Sequence, residues 1–218
     1  MSSRNKSFAI YCSGGASRVI KFYSRSANLE SLPPEIVVYD GDQPDVIAAL
    51  SKLFGSRLIQ FAGHHPQFDP DRPNHSTSTF IERALDEHAI DYLLCFGTRL
   101  FKGSLIQKYA HRLINFHPSL LPAYKGLMPI DRALTDKTPI LGNTAHYMTG
   151  AIDGGELIVQ AAMLAEDFDS YEDVLELQFP MMKLILRDLL HYDIAPEAIT
   201  ADLSHRSKPY LIPAQCVV

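Results

Sequence analysis

The sequence has few cysteines, no apolar run long enough to cross a bilayer, no cluster of lysine and arginine, and no internal repeat or low-complexity tract. Each scarcity excludes something. Cys12, Cys95 and Cys216 are odd in number and far apart, so a disulfide framework is not expected. The first two sit in apolar strand-like runs and are read as reduced, buried thiols. The polar start, Met1 to Ser7, is followed by only a short apolar run, which fits neither a signal peptide nor a membrane span of about 20 residues. A cytoplasmic location, with no membrane partner, is the expectation. Twenty basic residues against 25 acidic ones give a net charge of -5, and the basic residues are scattered. Nucleic acid is therefore not an expected partner, while a small anionic ligand stays open.

What is present is a chain of 218 residues, 46% hydrophobic, long enough to bury a full core. Short apolar runs alternate with segments of helical spacing. Ser7 to Cys12 reads as a strand, the turn Ser13-Gly14-Gly15-Ala16-Ser17 follows, and Val19, Ile20, Phe22 and Tyr23 mark a helix. Strands over Ile36 to Tyr39, Arg57 to Phe61, Asp91 to Phe96 and Leu113 to Phe116 are separated by helices over Pro44 to Phe54, Ser78 to His88 and Gly103 to His111. Crossovers of this kind predict an α/β fold, a doubly wound and mainly parallel sheet covered on both faces. After His117 the pattern changes. A loop rich in Pro and Gly leads to a short helix at Pro129 to Leu134, and then to strands Gly142 to Met148 and Leu157 to Leu164. No helix fits between those two, so they are expected to pair antiparallel at the C-terminal edge. Tyr171 to Tyr192 has the spacing of one long amphipathic helix, kinked or restarted by Pro180. The organisation expected is a catalytic domain over residues 1–194 and a surface-draped tail over 195–218.

In a doubly wound sheet, ligands bind outside the carboxyl ends of the strands, and Asn115 and His117 stand at such an end, on the same side of their strand. Spacing alone allows the plainer alternative, a turn-capping Asn and a hydrogen-bonded core His. Asp153 is the one acid of the loop Thr149 to Gly155, where it is either a functional carboxylate or a turn residue before two glycines. Thr144 and His146 alternate along the preceding strand and face either this cleft or solvent. His64, His65 and His75 lack ligand spacing, and no metal is expected.

The run Asn115-Phe116-His117-Pro118-Ser119-Leu120-Leu121-Pro122, then Tyr124-Lys125-Gly126 and, 36 residues after His117, Ile152-Asp153-Gly154-Gly155, resembles the signature of the folate-dependent formyltransferase family. The resemblance covers roughly residues 8 to 190. It implies a Rossmann-like formyltransferase fold and transfer of a formyl group from 10-formyltetrahydrofolate to an amine. It makes Asn115, His117 and Asp153 the catalytic residues. The tetrahedral intermediate carries an oxyanion that the Asn115 amide and a protonated His117 can stabilise, and Asp153 orients His117 and relays protons through water. Thr144 and His146 correspond to groups surrounding the acid and its water. Thr98, Arg99, Leu100 and Phe101 resemble the family's pterin-facing strand end, with Gly150, Ala151 and Ile152 offering backbone groups to the pterin.

The acceptor is less sharply marked. Ser13, Gly14, Gly15, Ala16, Ser17 and Arg18 follow the first strand and open a helix, where backbone N–H groups can bind a phosphate. The family members that act on glycinamide ribonucleotide carry Ser-Gly-x-Gly-Ser-Asn there, and this chain departs from it at Ala16 and Arg18. Pro129-Ile130-Asp131-Arg132-Ala133 is closer to the members that act on methionyl-tRNA, but 218 residues leave no room for their additional C-terminal barrel. Purine biosynthesis, with glycinamide ribonucleotide as the small phosphorylated acceptor, is the first expectation. An amino sugar nucleotide, hydrolysis of the formyl group, and a non-catalytic folate- or nucleotide-binding module remain as alternatives.

Overall fold

Apolar residues dominate four short segments in the first half of the chain, and all four become strands. This computed structural model describes residues 5–25, 32–200 and 209–213, and the chain divides into two units, 6–114 and 115–218. In the first unit β1 (Phe8–Ser13), β2 (Ile36–Asp40), β3 (Leu58–Gln60) and β4 (Tyr92–Phe96) run in the order β3-β2-β1-β4, every pair parallel. Nearly every residue of β1, β2 and β4 is buried, as expected of strands covered on both faces. The connections are α1 (Ser17–Arg25), α2 (Pro44–Phe54) and α3 (Pro73–Glu87), and α4 (Ser104–Lys108) follows β4.

Several boundaries differ from the sequence expectation, among them that of α4, which ends at Lys108 rather than His111. The third strand is only Leu58–Gln60, because Gly55–Arg57 forms a 3-10 turn. Helix α3 begins at Pro73, five residues before the expected Ser78. Pro73 suits a first helical turn, and the poor helix formers after it are accommodated because Ser76 and Ser78 hydroxyls return to the carbonyls of Pro73 and Asn74.

The second unit takes up β5 (Leu113–His117) from Asn115 onward, α5 (Pro129–Thr135), β6 (Ile140–Tyr147) and β7 (Leu157–Leu164). β6 and β7 pair antiparallel, as their close spacing predicts. The expected long helix is divided into α6 (Tyr171–Glu176) and α7 (Gln178–Leu184), followed by a π-type turn over Ile185–Leu189. The break at Leu177 lies one turn before Pro180, which has no N–H and whose ring opposes the carbonyl four residues back. The segment from Ala195, expected as a draped tail, carries β8 (Tyr210–Pro213), which pairs antiparallel with β7. Its closing proline is tolerated at a strand end. Ile194 and Ile199 are buried, and the Lys183 ammonium donates to the Ala198 carbonyl at 2.7 Å. Cys216 lies outside the described residues. Cys12 and Cys95 are free and buried, and burial pushes the Cys12 thiol up to about 12, so it stays protonated. Among the described residues no helix is long and apolar enough to cross a membrane.

Candidate active site

The centre of the second unit is a carboxylate between two imidazoles. Asp153 Oδ2 lies 3.4 Å from His117 Nδ1, and its Oδ1 lies 3.5 Å from His146 Nε2. His146 Nε2 is in turn 3.2 Å from the Asn115 amide nitrogen. Asn115 is thus linked to Asp153 through His146, while His117 meets Asp153 directly. All three acid-base side chains are largely shielded, the histidines at 6% and 3% exposure and Asp153 at 11%.

Local structure explains each placement. Asn115 and His117 share one face of β5 because strand side chains alternate. β6 carries a register shift at Ala145/His146, a bulge of the kind that re-aims a side chain. Asp153 adopts φ 46°, turning its carboxylate back into the loop, where the Gly126 N–H donates to Oδ2 at 2.8 Å. A Cβ at Gly155 would stand 1.7 Å from the Tyr147 carbonyl oxygen, so the glycine makes room for the chain's own backbone.

That same Tyr147 carbonyl accepts a hydrogen bond from His146 Nδ1 at 3.0 Å, and the Tyr124 carbonyl accepts one from His117 Nε2 at 3.0 Å. Carbonyls only accept, so both contacts fix the tautomer. His117 carries hydrogen on Nε2 and His146 on Nδ1, which leaves the second nitrogen of each ring turned toward Asp153. For His146 that nitrogen has one role at a time. Without a proton it accepts from Asn115; with one it donates to Asp153.

Burial lowers the His117 pKa below its ordinary 6.5, against the raising effects of the Tyr124 carbonyl and the Asp153 charge. The protonated ring expected from the sequence is therefore not the resting form at neutral pH, because desolvation of the cation outweighs its partners. Burial would raise the Asp153 pKa, but the adjoining His146 ring, the hydrogen bond from the Gly126 N–H and the nearby His117 hold it below the usual carboxylate value. The resting site is an ionised acid beside a neutral His117.

A match to the formyl transferase family model extends over residues 44–177, more than half of the chain. The chain belongs to the formyl transferase family. It is 28% identical over 176 residues to the phosphoribosylglycinamide formyltransferase of Bacillus subtilis, a match covering 78% of this chain and 85% of that protein. Its match to the Escherichia coli protein of the same name is 36% identical over 91 residues, 41% of this chain and 43% of the other. The crystal structure of phosphoribosylglycinamide formyltransferase from Brucella melitensis superposes with a TM-score of 0.66 at 28% identity, covering 88% of this chain and 99% of that one. The Rossmann-like formyltransferase fold expected from the sequence is the fold found.

Other expected site residues of this formyltransferase fall in several places. Thr144 is fully buried, and its hydroxyl does not turn to the acid: it donates to the Ser119 carbonyl at 2.6 Å and accepts from Leu121 N and Gln160 Nε2 at 3.0 and 2.8 Å. It fixes the turn that follows His117. Gly150, Ala151 and Ile152 form an exposed turn, braced by a 3.3 Å contact between the Thr149 hydroxyl and the Ala151 N–H.

In the first unit, Thr98 and Leu100 are exposed, whereas Phe101 is buried edge-on against Tyr11 with ring centroids 5.3 Å apart. The Arg99 side chain is engaged bidentately by Asp40, at 2.6 and 3.2 Å, and lies over the Phe68 ring. Gly14 and Gly15 are exposed ahead of α1, and Ala16 takes the left-handed φ of 46° in the glycine's place. Ser13 Oγ accepts from the Thr98 N–H at 3.1 Å. Arg18 turns toward the end of β4, donating to the Phe96 carbonyl at 2.8 Å and lying over its ring. His65 packs between Phe61 and Phe80, and among the described residues no group of His, Cys, Asp or Glu is arranged to hold a metal.

Sequence reasoning missed the backbone groups of Tyr124, Gly126 and Tyr147. It also missed a buried polar brace beneath β5, where Gln178 Nε2 donates to Asn143 Oδ1 at 2.7 Å and to the Phe116 carbonyl at 3.3 Å, while Asn143 donates to the Val174 carbonyl at 2.6 Å. The available signal was the polar pair itself, Asn143 and Gln178, set among apolar neighbours where buried amides require partners.

Proposed function

We propose that this chain transfers a formyl group from 10-formyltetrahydrofolate to a primary amine, with Asn115, His117 and Asp153 as the catalytic residues and glycinamide ribonucleotide as the acceptor. The observation that carries the reading is the ionised Asp153 held between His117 and His146, with Asn115 on the same strand face. In the reaction the amine nitrogen attacks the formyl carbon, and the carbonyl oxygen gains negative charge. Asn115 has two amide hydrogens, one directed at His146 and a second that can donate to that oxygen. His117 Nε2–H, now resting on the Tyr124 carbonyl, is the second donor. Fixed donors of this kind, pre-oriented in a dry site, are the largest catalytic contribution in acyl-type transfer. The amine must lose a proton, which Asp153 accepts directly or through water, and the folate nitrogen must gain one as its bond to the formyl carbon breaks.

The acceptor assignment is supported by the names of the relatives and by the Ser13 to Ser17 loop, whose exposed glycines precede α1. Arg18 is committed to Phe96, so a phosphate there would rest on the N–H groups of Gly14, Gly15 and Ser17 and on the positive end of the helix. The turn at Gly150 to Ile152 offers its exposed backbone groups to the pterin. The buried, free thiols suit a cytoplasmic reaction.

Incubation with 10-formyltetrahydrofolate and a panel of amines tests this reading. Glycinamide ribonucleotide is expected to be formylated, an amino sugar nucleotide to be left unchanged, and little formate to appear without amine. Formate release at the same rate in the absence of any amine would make the protein a hydrolase. Donor binding without turnover of any kind would make it a binding module.

A further inference from the structure

The loop at residues 124–127 supplies both the Tyr124 carbonyl that orients His117 and the Gly126 N–H that orients Asp153. Its own conformation does not hold it there. Tyr124 and Met128 sit at φ 54° and 51°, the left-handed region that costs a residue with a Cβ about 1–2 kcal/mol, and Gly126 sits at φ 83°. Packing holds only its first residue, where the Tyr124 ring rests against the apolar cluster of Ile130, Ala133, Leu141, Val174 and Leu175. Lys125 is exposed, as are Leu127 and Met128 at 81% and 64%, and beneath the loop lies an apolar cavity of about 250 Å³ whose lining includes Ala123, Tyr124, Ile130 and Ala133. What does hold it is a pair of side-chain clamps. The Tyr124 hydroxyl bonds to Thr138 Oγ1 at 2.7 Å and to Asp136 Oδ2 at 3.0 Å. Arg132 Nη1 donates to the Lys125 carbonyl at 2.7 Å and approaches the Leu127 carbonyl at 3.5 Å, while its guanidinium covers the Tyr124 ring at 5.6 Å. Ser119 Oγ fixes the preceding Ala123 carbonyl at 2.7 Å.

We propose that Arg132, acting with the Tyr124 hydroxyl, is a positioning residue of the reaction: it pins the 124–127 loop so that one carbonyl and one N–H of that loop hold His117 and Asp153 in register. The role rests on the formyl-transfer reading of the site. Arg132 touches no reacting group in this arrangement. It acts through main-chain atoms, which explains an arginine whose end is exposed yet whose donor is spent on a loop carbonyl rather than on solvent.

The test uses Arg132→Met, which keeps the aliphatic stem but removes the donor, together with Arg132→Lys and Tyr124→Phe. Misplacement of a catalytic group by a fraction of an ångström is expected to lower kcat roughly 10-fold in Arg132→Met, with KM for donor and amine within about twofold. Arg132→Lys, which can still reach a carbonyl, recovers most of the loss. Because both clamps act on one loop, Tyr124→Phe combined with Arg132→Met gives less than the product of the single effects. The decisive readout needs no substrate: 15N shifts of the His117 ring report the Nε2–H tautomer in the wild type and a mixture in Arg132→Met. An unchanged tautomer with unchanged kcat overturns the proposal, and so does a raised KM for the amine at constant kcat, which would make Arg132 a substrate-binding group. If the wild type itself transfers no formyl group while the tautomer still responds, the functional reading fails and the positioning of His117 stands.

Discussion

Replacing Asp153 by Asn keeps the shape of the side chain and removes its charge and its capacity to accept a proton. The amide oxygen can still accept from the Gly126 N–H, now 2.8 Å from Oδ2, so the loop should keep its conformation. What is lost is the anion facing His117 Nδ1 at 3.4 Å and His146 Nε2 at 3.5 Å. When a ring gains a second proton during the transfer, its hydrogen bond to this anion is worth about 1.5–3 kcal/mol. At about 1.4 kcal/mol per factor of ten, loss of the charge alone predicts a rate reduction of roughly 10- to 100-fold. Loss of the proton acceptor contributes about 10²-fold or more, so kcat should fall at least about 10²-fold with KM for the folate donor within about threefold. The Asp153 charge also raises the His117 pKa, so the variant's His117 should titrate at still lower pH than in the wild type. Steady-state rates of formyl transfer at saturating amine, with donor binding measured separately, check the first part, and a 15N titration of the imidazole checks the second. A kcat within threefold of wild type, or a His117 pKa that rises, would refute the reasoning.

Other consequences are equally open to measurement. His117→Ala should lower the transfer rate by about 10²-fold or more without weakening donor binding, since the ring acts on the transition state, and unchanged turnover would remove it from the mechanism. His117 has a folded pKa below its unfolded 6.5, and Asp153 one below 3.8, so the unfolded chain binds more protons than the folded one. Stability should therefore fall as pH drops, first below about 6.5 and again below about 4, in denaturant titrations, and His117→Ala should remove the first of these losses. Thr144→Val leaves the Leu121 N–H and Gln160 amide without their buried acceptor, and chemical denaturation should show a loss of about 1–3 kcal/mol for each partner that finds no substitute. Gly155→Ala drives a methyl into the Tyr147 carbonyl and should lower the melting temperature and disturb the His146 ring signals together; an unperturbed ring would show that the loop relaxes freely.

How legible this protein is from its residues depends on which atoms do the work. β1, β2 and β4 were readable because fully buried parallel strands are written as continuous apolar runs. The pairing of β6 with β7 followed from the absence of helical spacing between them. The start of α3 was not readable, since Asn74 to Ser78 have side chains that compete with the backbone and form a helix only where their hydroxyls are satisfied in place. β8 was hidden by prolines and by its shortness, because an edge strand is defined by the partner it pairs with. Within the site, Asn115 and His117 could be placed on one face from strand alternation alone. Thr144 and His146 had the same spacing but different duties, separated by the bulge at Ala145/His146, which no two-residue periodicity announces. The Arg18 side chain shows the limit most clearly. The sequence places it in the turn expected to take a phosphate, and its geometry assigns it to a carbonyl of a neighbouring strand.

Both imidazoles take their bearings from main-chain oxygens, those of Tyr124 and Tyr147, and every amino acid brings the same oxygen. At position 147 the side chain can change without altering the proton position on His146, provided the backbone path is kept, whereas the Tyr124 side chain also clamps the loop whose carbonyl serves His117. Chemistry and recognition are therefore separately adjustable here. A protein engineer can vary Lys125, Leu127 and Met128, exposed on a loop whose backbone serves the reaction, to reshape what approaches the site while the reacting centre is left as it stands.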